Sequence, residues 1–144
     1  MFKRILFPTD FSEASVRVKN KLKKMTEYGI GEVIMLHIMD DRRLAYAEYI
    51  DAFSFGNFKL EETLRKEMQK KLDAWKAEME KAGLKVSTHI ISGTPFTSAL
   101  DFAKEKRATS IFLGHRGRNK KGDTSLGSTT EKITRKSDIT VVLI

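Results

Sequence analysis

The chain has 144 residues, and its 27 Lys and Arg residues against 19 Asp and Glu residues give a formal net charge of +8. This length favours a single domain, and the absence of cysteine excludes disulfides, cysteine-based metal sites and a thiol nucleophile. No apolar run is long enough to span a membrane, and Pro8 and Asp10 interrupt the first run too early for a signal peptide, so we expect a soluble cytoplasmic protein.

The first two predicted strands flank the first predicted helix. Residues 5–7 form an apolar run that ends at Pro8, and residues 32–38 form a second apolar run. Between them, apolar residues at helical spacing follow Asp10 and Ser12, either of which can cap a helix. Both strands are apolar at nearly every position, which is typical of a parallel sheet covered on both faces.

Residues 40–58 form an aromatic-rich segment without a clear strand pattern. Tyr46, Tyr49 and Phe53 fall on one stripe at helical spacing. We interpret this segment as a variable insertion that is mobile or faces a partner. A local hydrophobic cover for the sheet is equally consistent with the spacing.

The remaining chain continues the alternation of helices and strands. Apolar residues that recur every three or four positions indicate helices, and short apolar runs indicate strands. The predicted elements follow in this order: an amphipathic helix that ends near Gly83, a strand at residues 86–91, a helix that Pro95 opens after Thr94, and a strand at residues 110–113.

The last helix is predicted from Ser-Thr-Thr-Glu at residues 128–131, which matches a capping box with Ser128 at the N-cap. A final apolar run at residues 139–144 predicts the fifth strand. Strands that alternate with helices predict a parallel sheet with right-handed crossovers. We therefore expect one α/β domain over residues 1–144, with helices on both faces of a five-stranded sheet.

Two segments that follow predicted strands are candidates for a ligand site. Open parallel sheets bind ligands beyond the carboxyl ends of their strands, where the strand order reverses. The first segment is Pro-Thr-Asp at residues 8–10, and the second is a glycine-spaced loop at residues 114–128. Both segments should meet at this edge of the sheet.

The glycine-spaced loop has the groups that bind phosphate. Gly127 and Ser128 lie where a helix begins, so unpaired N–H groups there carry partial positive charge. Thr129 and Thr130 add hydroxyl donors, and Asp10 could accept a hydrogen bond from a ribose hydroxyl or a base amino group. Countercharge comes from four basic residues of the loop: Arg116, Arg118, Lys120 and Lys121.

These groups predict a purine nucleotide site, but a second interpretation stays open. The glycines could shape a plain turn, Ser128 could simply cap its helix, and the basic residues could be solvated. Asp10, taken alone, is more typical of a helix cap than of a ligand contact. Glycine patterns therefore need support from their structural context.

Other functional motifs are absent from the sequence. Residues 117–122 have the glycine spacing of a P-loop, but Asp123 stands where that motif requires lysine. Gly29 and Gly31 lack the third glycine of a dinucleotide fingerprint. No grouping of Ser, His and carboxylate indicates a hydrolase, and the basic residues lack the interleaved aromatics of a specific nucleic-acid site.

The glycine spacing resembles the G-2x-G-9x-G-(S/T) signature of ATP-binding universal stress proteins. It reads Gly114, two residues, Gly117, nine residues, then Gly127 and Ser128. Residues 5–12, 36–40 and 140–143 are similar to that family's first strand and loop, the end of its second strand, and its last strand. The resemblance implies a Rossmann-like sheet in the order 3-2-1-4-5 and a homodimer through the C-terminal strand.

The resemblance also implies a function: an adenine-nucleotide-binding stress sensor or protector that takes ATP or AMP. Its nucleotide-binding positions are these: Pro8, Thr9 and Asp10 beside the adenosine, Ile38 at the adenine, Gly114 and Gly117 along the ribose and phosphates, and Gly127, Ser128, Thr129 and Thr130 at the phosphates. Mg or Mn would be carried mainly by the phosphates, because the loop offers only Asp123 as a carboxylate.

Turnover is not predicted from the sequence. We find no residue placed to activate water for attack on a γ-phosphate, so any ATP hydrolysis should be slow. The alternative from another class is a nucleotide-independent dimeric scaffold that docks a partner. Such a protein would use the same fold with the cleft empty.

Overall fold

Five parallel strands form one sheet in the order β3-β2-β1-β4-β5. The computed structural model describes residues 1–42, 44–46, 49, 60–115 and 127–144. The strands are β1 (Arg4–Pro8), β2 (Glu32–Asp40), β3 (Val86–Gly93), β4 (Ser110–Leu113) and β5 (Thr140–Leu143). The predicted five-stranded parallel sheet and its implied order are both confirmed.

Four α-helices connect these strands within the described residues. They are α1 (Glu13–Lys23), α2 (Leu60–Lys81), α3 (Pro95–Glu105) and α4 (Ser128–Lys136), and a 3₁₀ turn (Thr26–Tyr28) follows α1. No described helix combines the length and the apolar composition that crossing a membrane requires. Each connection leads from the carboxyl end of one strand to the amino end of the next, so all five strands run in the same direction.

Side chains that alternate along the strands fill two hydrophobic cores, one on each face of the sheet. On one face, Ile5 and Phe7 of β1 pack with residues of α1 and α2. On the other face, Leu6 packs with residues of α3 and α4, among them Ala103 and Ile133. The five named side chains are almost fully buried, so the helices do cover both faces as predicted.

The N-terminus of α4 corrects one prediction. Gly127, and not Ser128, is the N-cap, with extended backbone angles of φ −63° and ψ 151°. The shift by one residue places Glu131 too far into the helix to reach back to the cap. Its carboxylate instead accepts a hydrogen bond from Arg135, one turn later. The predicted capping box is therefore wrong, although the helix itself is present.

Residues 40–58 lie partly outside the described residues, including Phe53, Phe55 and Phe58. The described positions 41, 42, 44–46 and 49 have helical backbone. Leu44 is buried, whereas Tyr46 and Tyr49 are 65% and 62% exposed. The described part of this segment thus contributes one residue to the interior and leaves two tyrosines at the surface.

Candidate functional site

A cleft of about 780 Å³ opens beyond the carboxyl ends of β1, β2 and β4. The chain adds β2 and β3 on one side of β1 and then β4 and β5 on the other, so the strand order reverses at β1. Open α/β sheets bind ligands at such a switch point. The volume lies within the range of small-molecule sites. Every predicted site residue that the structure describes lines the cleft: Pro8, Thr9, Asp10, Ile38, Gly114, Gly127, Ser128, Thr129 and Thr130. Arg116 and Gly117 lie outside the described residues.

Thr9 fixes the ends of β1 and β2 relative to each other. Its backbone N–H donates to the Leu36 carbonyl at 2.8 Å, and its carbonyl accepts from His37 Nδ1 at 2.8 Å. A carbonyl only accepts, so Nδ1 of His37 carries the proton. Thr9 is 5% exposed, and its two backbone bonds join the end of β1 to β2 beside the cleft.

Phe11 forms a wall of the cleft from a strained backbone. Its φ of +61° lies in the left-handed region, which costs a non-glycine residue about 1 kcal/mol. The Phe11 N–H donates to Thr9 Oγ1 at 3.0 Å, and the ring contacts His37 and Trp75 at centroid distances of 5.2 and 5.0 Å. These contacts hold the ring between β2 and helix α2.

Asp10 is held as a carboxylate at the rim of the cleft. Burial raises its pKa, but hydrogen bonds from Ser12 and Ser15 outweigh that effect and hold the pKa below its ordinary value. Oδ1 accepts from Ser12 N at 3.0 Å and from Ser15 Oγ at 3.1 Å, while Ser12 itself is the N-cap of α1. A carboxylate has about four acceptor positions, so Asp10 can accept further hydrogen bonds from a ligand.

The first turn of α4 lines the same cleft as Pro8 and Asp10. The first hydrogen bond of this helix runs from Glu131 N to Gly127 O at 2.9 Å, so the N–H groups of residues 128–130 precede the helical ladder. Such groups carry partial positive charge and bind anions. This end of the cleft is therefore suited to an anionic group.

Gly114 has a packing reason to be glycine. A Cβ atom at this position would lie 2.5 Å from the carbonyl oxygen of Ala14 and 2.8 Å from its Cβ. Only glycine lets the end of β4 approach α1 this closely. The Gly114 carbonyl also accepts a hydrogen bond from Thr130 Oγ1 at 3.2 Å, which leaves the Thr130 hydroxyl proton engaged within the protein.

Sequence reasoning missed several residues of the cleft wall, all contributed by helices: Arg17, Leu44, Leu64, Met68 and Lys71. Leu64 and Met68 belong to the apolar stripe of α2, from which we predicted an amphipathic helix but no residue of the cleft. Lys71 Nζ lies 5.5 Å from the centre of the Phe11 ring. The spacing of the stripe identifies the apolar face of α2, but it does not show which turns of the helix extend past the sheet.

The described part of the cleft wall is amphipathic, and its residues form no metal centre. Apolar side chains such as Ile38, Met39 and Leu44 lie on one part of its wall, and the N–H groups of α4 lie on another. Within the part of the chain that the structure describes, no group of three or more His, Asp or Glu side chains could hold a metal ion. The arrangement suits a small molecule with an apolar ring and an anionic tail.

The chain is similar to known proteins over its whole length. The sequence model of the Universal stress protein family matches residues 1–144. Universal stress protein MJ0577 of Methanocaldococcus jannaschii is 29% identical over 155 residues, which cover 100% of this chain and 95% of that protein. The solved structure of MJ0577 has a TM-score of 0.84 at 32% identity, covering 100% of this chain and 96% of that chain.

Two further solved structures share the fold. The crystal structure of PH0823 has a TM-score of 0.80 at 32% identity and covers 100% of this chain and 96% of that chain. The universal stress protein of Archaeoglobus fulgidus in complex with dAMP has a TM-score of 0.65 at 21% identity, covering 100% and 99%; this more distant likeness shows the fold alone. Because the family's sequence model spans all 144 residues, the chain belongs to the universal stress protein family.

Proposed function

We propose that this chain is a cytoplasmic stress sensor or protector that binds an adenine nucleotide, ATP or AMP, in the cleft. The observation that carries the proposal is one cavity in which Asp10, Ile38, Gly114 and the first turn of α4 meet at the switch point of the sheet. The dAMP complex of the Archaeoglobus fulgidus relative supports this class of ligand.

The wall of the cleft divides the binding of a nucleotide among different groups. The adenine ring would lie against Ile38 and Met39, where apolar side chains line the cavity. Asp10 would accept a hydrogen bond from the ribose or the base, since its carboxylate stays ionised at neutral pH. The phosphates would lie at the N–H groups of Ser128 and Thr129, where the helix dipole is positive.

A divalent ion, Mg or Mn, would be held by the phosphates of the nucleotide. The described residues provide no metal-binding cluster, and Mg²⁺ commonly binds through substrate phosphates, water and one or two carboxylates. Asp10 and Glu13 are carboxylates of the described wall that could contribute. The ion would thus enter with the nucleotide.

Slow hydrolysis, at most, fits the described groups. A general base works best with a pKa near the operating pH, whereas hydrogen bonds hold the pKa of Asp10 below its ordinary value. Binding therefore accounts for the geometry of these residues better than turnover does.

Homodimerisation through β5 is the second part of the proposal. β5 lies at one edge of the sheet and pairs with β4 on one side. An unpaired edge invites pairing with a second copy, and Leu143 there is 40% exposed. Sedimentation equilibrium should show a dimer that Leu143→Arg weakens, and a monomer at all concentrations would contradict this part.

Isothermal titration with ATP and AMP, with and without Mg²⁺, tests nucleotide binding. In Gly127→Asp, the extended backbone accepts the new residue and aspartate caps the helix, but its charge opposes a phosphate. We expect at least about tenfold weaker ATP binding without loss of thermal stability. Gly127→Asn is the matched control, since it caps equally well without charge. Equal affinity of the Asp and Asn variants would contradict the proposed site.

A nucleotide-independent dimeric scaffold is the rival function, and one observation favours it. The close approach of Gly114 to Ala14 would require glycine at this position with or without a ligand. Mass spectrometry of small molecules that copurify with the protein separates the two functions. A copurified adenine nucleotide supports the sensor, whereas nucleotide-free protein without any thermal shift on adding ATP or AMP supports the scaffold.

A further inference from the structure

Arg17 lies on α1 and reaches the start of the glycine-spaced loop. Its side chain lines the cleft, and its Nη2 donates a hydrogen bond to the backbone carbonyl of His115. His115 directly follows Gly114, at the end of β4. The guanidinium therefore lies on the side of the cleft where the loop begins, and it approaches from a helix outside that loop.

The guanidinium of Arg17 retains its charge and most of its donors. It has five N–H groups, and a carbonyl partner accepts a hydrogen bond without neutralising the positive charge. Across the ranges that the structure describes, no carboxylate forms an ion pair with Arg17. A guanidinium in this state is suited to a phosphate, which it can bind through two parallel hydrogen bonds.

Arg17 is one of few basic residues on the described cleft wall. The wall carries three carboxylates: Asp10, Glu13 and Asp40. Arg17 and Lys71 are the basic residues of the described wall, and Lys71 lies over the Phe11 ring, beside β1. Of these two cations, Arg17 is the one beside the loop. Arg17 therefore adds positive charge from α1 at the start of the loop, beside the basic residues that the loop sequence itself contains.

We propose that Arg17 is a specificity-determining residue that contacts the phosphate tail and makes the cleft prefer ATP over adenosine. This inference rests on the proposed nucleotide-binding function and adds a selective contact to it. The contact would come from α1 and would add to the N–H groups at the start of α4. Removing it should therefore weaken the binding of phosphorylated ligands and leave the binding of the nucleoside unchanged.

Calorimetric titrations of ATP and adenosine into four proteins test the proposal: the wild type, Arg17→Gln, Arg17→Lys and Lys21→Gln. Lys21 is the matched control, since it is exposed on the same helix and lies away from the cleft wall. We expect Arg17→Gln to weaken ATP binding about tenfold and adenosine binding less than twofold. Arg17→Lys should fall between, and Lys21→Gln should match the wild type.

Two results would overturn the proposal while leaving the proposed function standing. One is an equal loss of ATP and adenosine affinity in Arg17→Gln, which would mean that Arg17 only supports the backbone at His115. The other is an unchanged ATP affinity in that variant. If neither ligand binds the wild type, the nucleotide-binding function itself fails, and the role of Arg17 fails with it.

Discussion

The hydroxyl of Thr130 donates a hydrogen bond to the carbonyl of Gly114 at 3.2 Å, and this bond joins the first turn of α4 to the end of β4. Two backbone bonds beside it join the end of β4 to the residue that follows β5: His115 N donates to Ile144 O at 3.3 Å, and Ile144 N donates to Leu113 O at 2.9 Å. The two described ends of the glycine-spaced loop are therefore held side by side.

Thr130→Val tests the importance of this link. Valine has nearly the same shape but leaves the partly buried Gly114 carbonyl without its partner, so we expect a loss of about 1 kcal/mol in the free energy of unfolding. Thr134→Val is the control, because the exposed Thr134 hydroxyl donates to Thr130 O within the helix and should matter less. Urea denaturation measures both variants, and equal losses would contradict a special role for Thr130.

Gly114→Ala should destabilise the protein more than an alanine at an unhindered glycine does. The new Cβ would overlap the Ala14 carbonyl, and overpacking of this kind costs about 3 kcal/mol. Gly29→Ala is the comparison, since nothing lies within 4 Å of its Cβ position and only its φ of +73° is unfavourable, at about 1 kcal/mol. Thermal unfolding curves show which variant loses more stability. A smaller loss in Gly114→Ala than in Gly29→Ala would contradict the close approach of Gly114 to Ala14.

The sequence predicted the strands and helices well, because buried strands are apolar at most positions. The predicted ends were less accurate. β2 and β3 continue to Asp40 and Gly93, which still pair through their backbones, since backbone hydrogen bonds do not depend on the polarity of the side chain. The order of the strands came from the family resemblance, because local patterns do not say which strands are neighbours.

The helical wall of the cleft could not be predicted from the same patterns. A helix of 22 residues is about 33 Å long, while a strand of five residues spans about 17 Å. Helix α2 therefore extends beyond the end of β1, and Leu64 and Met68 face the cleft although Leu72 is core. Periodicity identifies the apolar face of a helix but not how far it reaches past the sheet.

His89 should make the protein less stable at mildly acidic pH. Burial lowers its pKa below 6.5, and the charge of Lys106 lowers it further, against a smaller opposite effect of Glu105. The ring lies 5.1 Å from Phe102, and Nε2 is 3.3 Å from Ser87 Oγ. The unfolded chain therefore binds a proton near pH 6.5, before the folded protein does.

The free energy of unfolding should consequently fall as the pH drops below about 6.5, and level off once folded His89 is also protonated. His89→Gln should remove this part of the pH dependence, and Lys106→Gln should make it smaller because the pKa of folded His89 rises towards its value in the unfolded chain. Urea titrations at pH 7.5, 6.5 and 5.5 provide the comparison. An unchanged slope in His89→Gln would show that other groups are responsible.

Ser110→Ala should stabilise the protein or leave its stability unchanged. Ser110 is 0% exposed on β4, between Ile5 of β1 and Thr140 of β5, and its hydroxyl makes no hydrogen bond with any residue that the structure describes. A buried hydroxyl without a partner is unfavourable, so its removal should raise the free energy of unfolding by up to about 1 kcal/mol.

Ser15→Ala provides the opposite case at a similarly buried serine. Ser15 is 7% exposed, but its hydroxyl donates to the Asp10 carboxylate at 3.1 Å, so the same substitution should destabilise by about 1 kcal/mol. Chemical denaturation of both variants compares the same chemical change with and without a lost hydrogen bond. If Ser110→Ala lost as much stability as Ser15→Ala, its hydroxyl would have a partner after all, such as a buried water molecule.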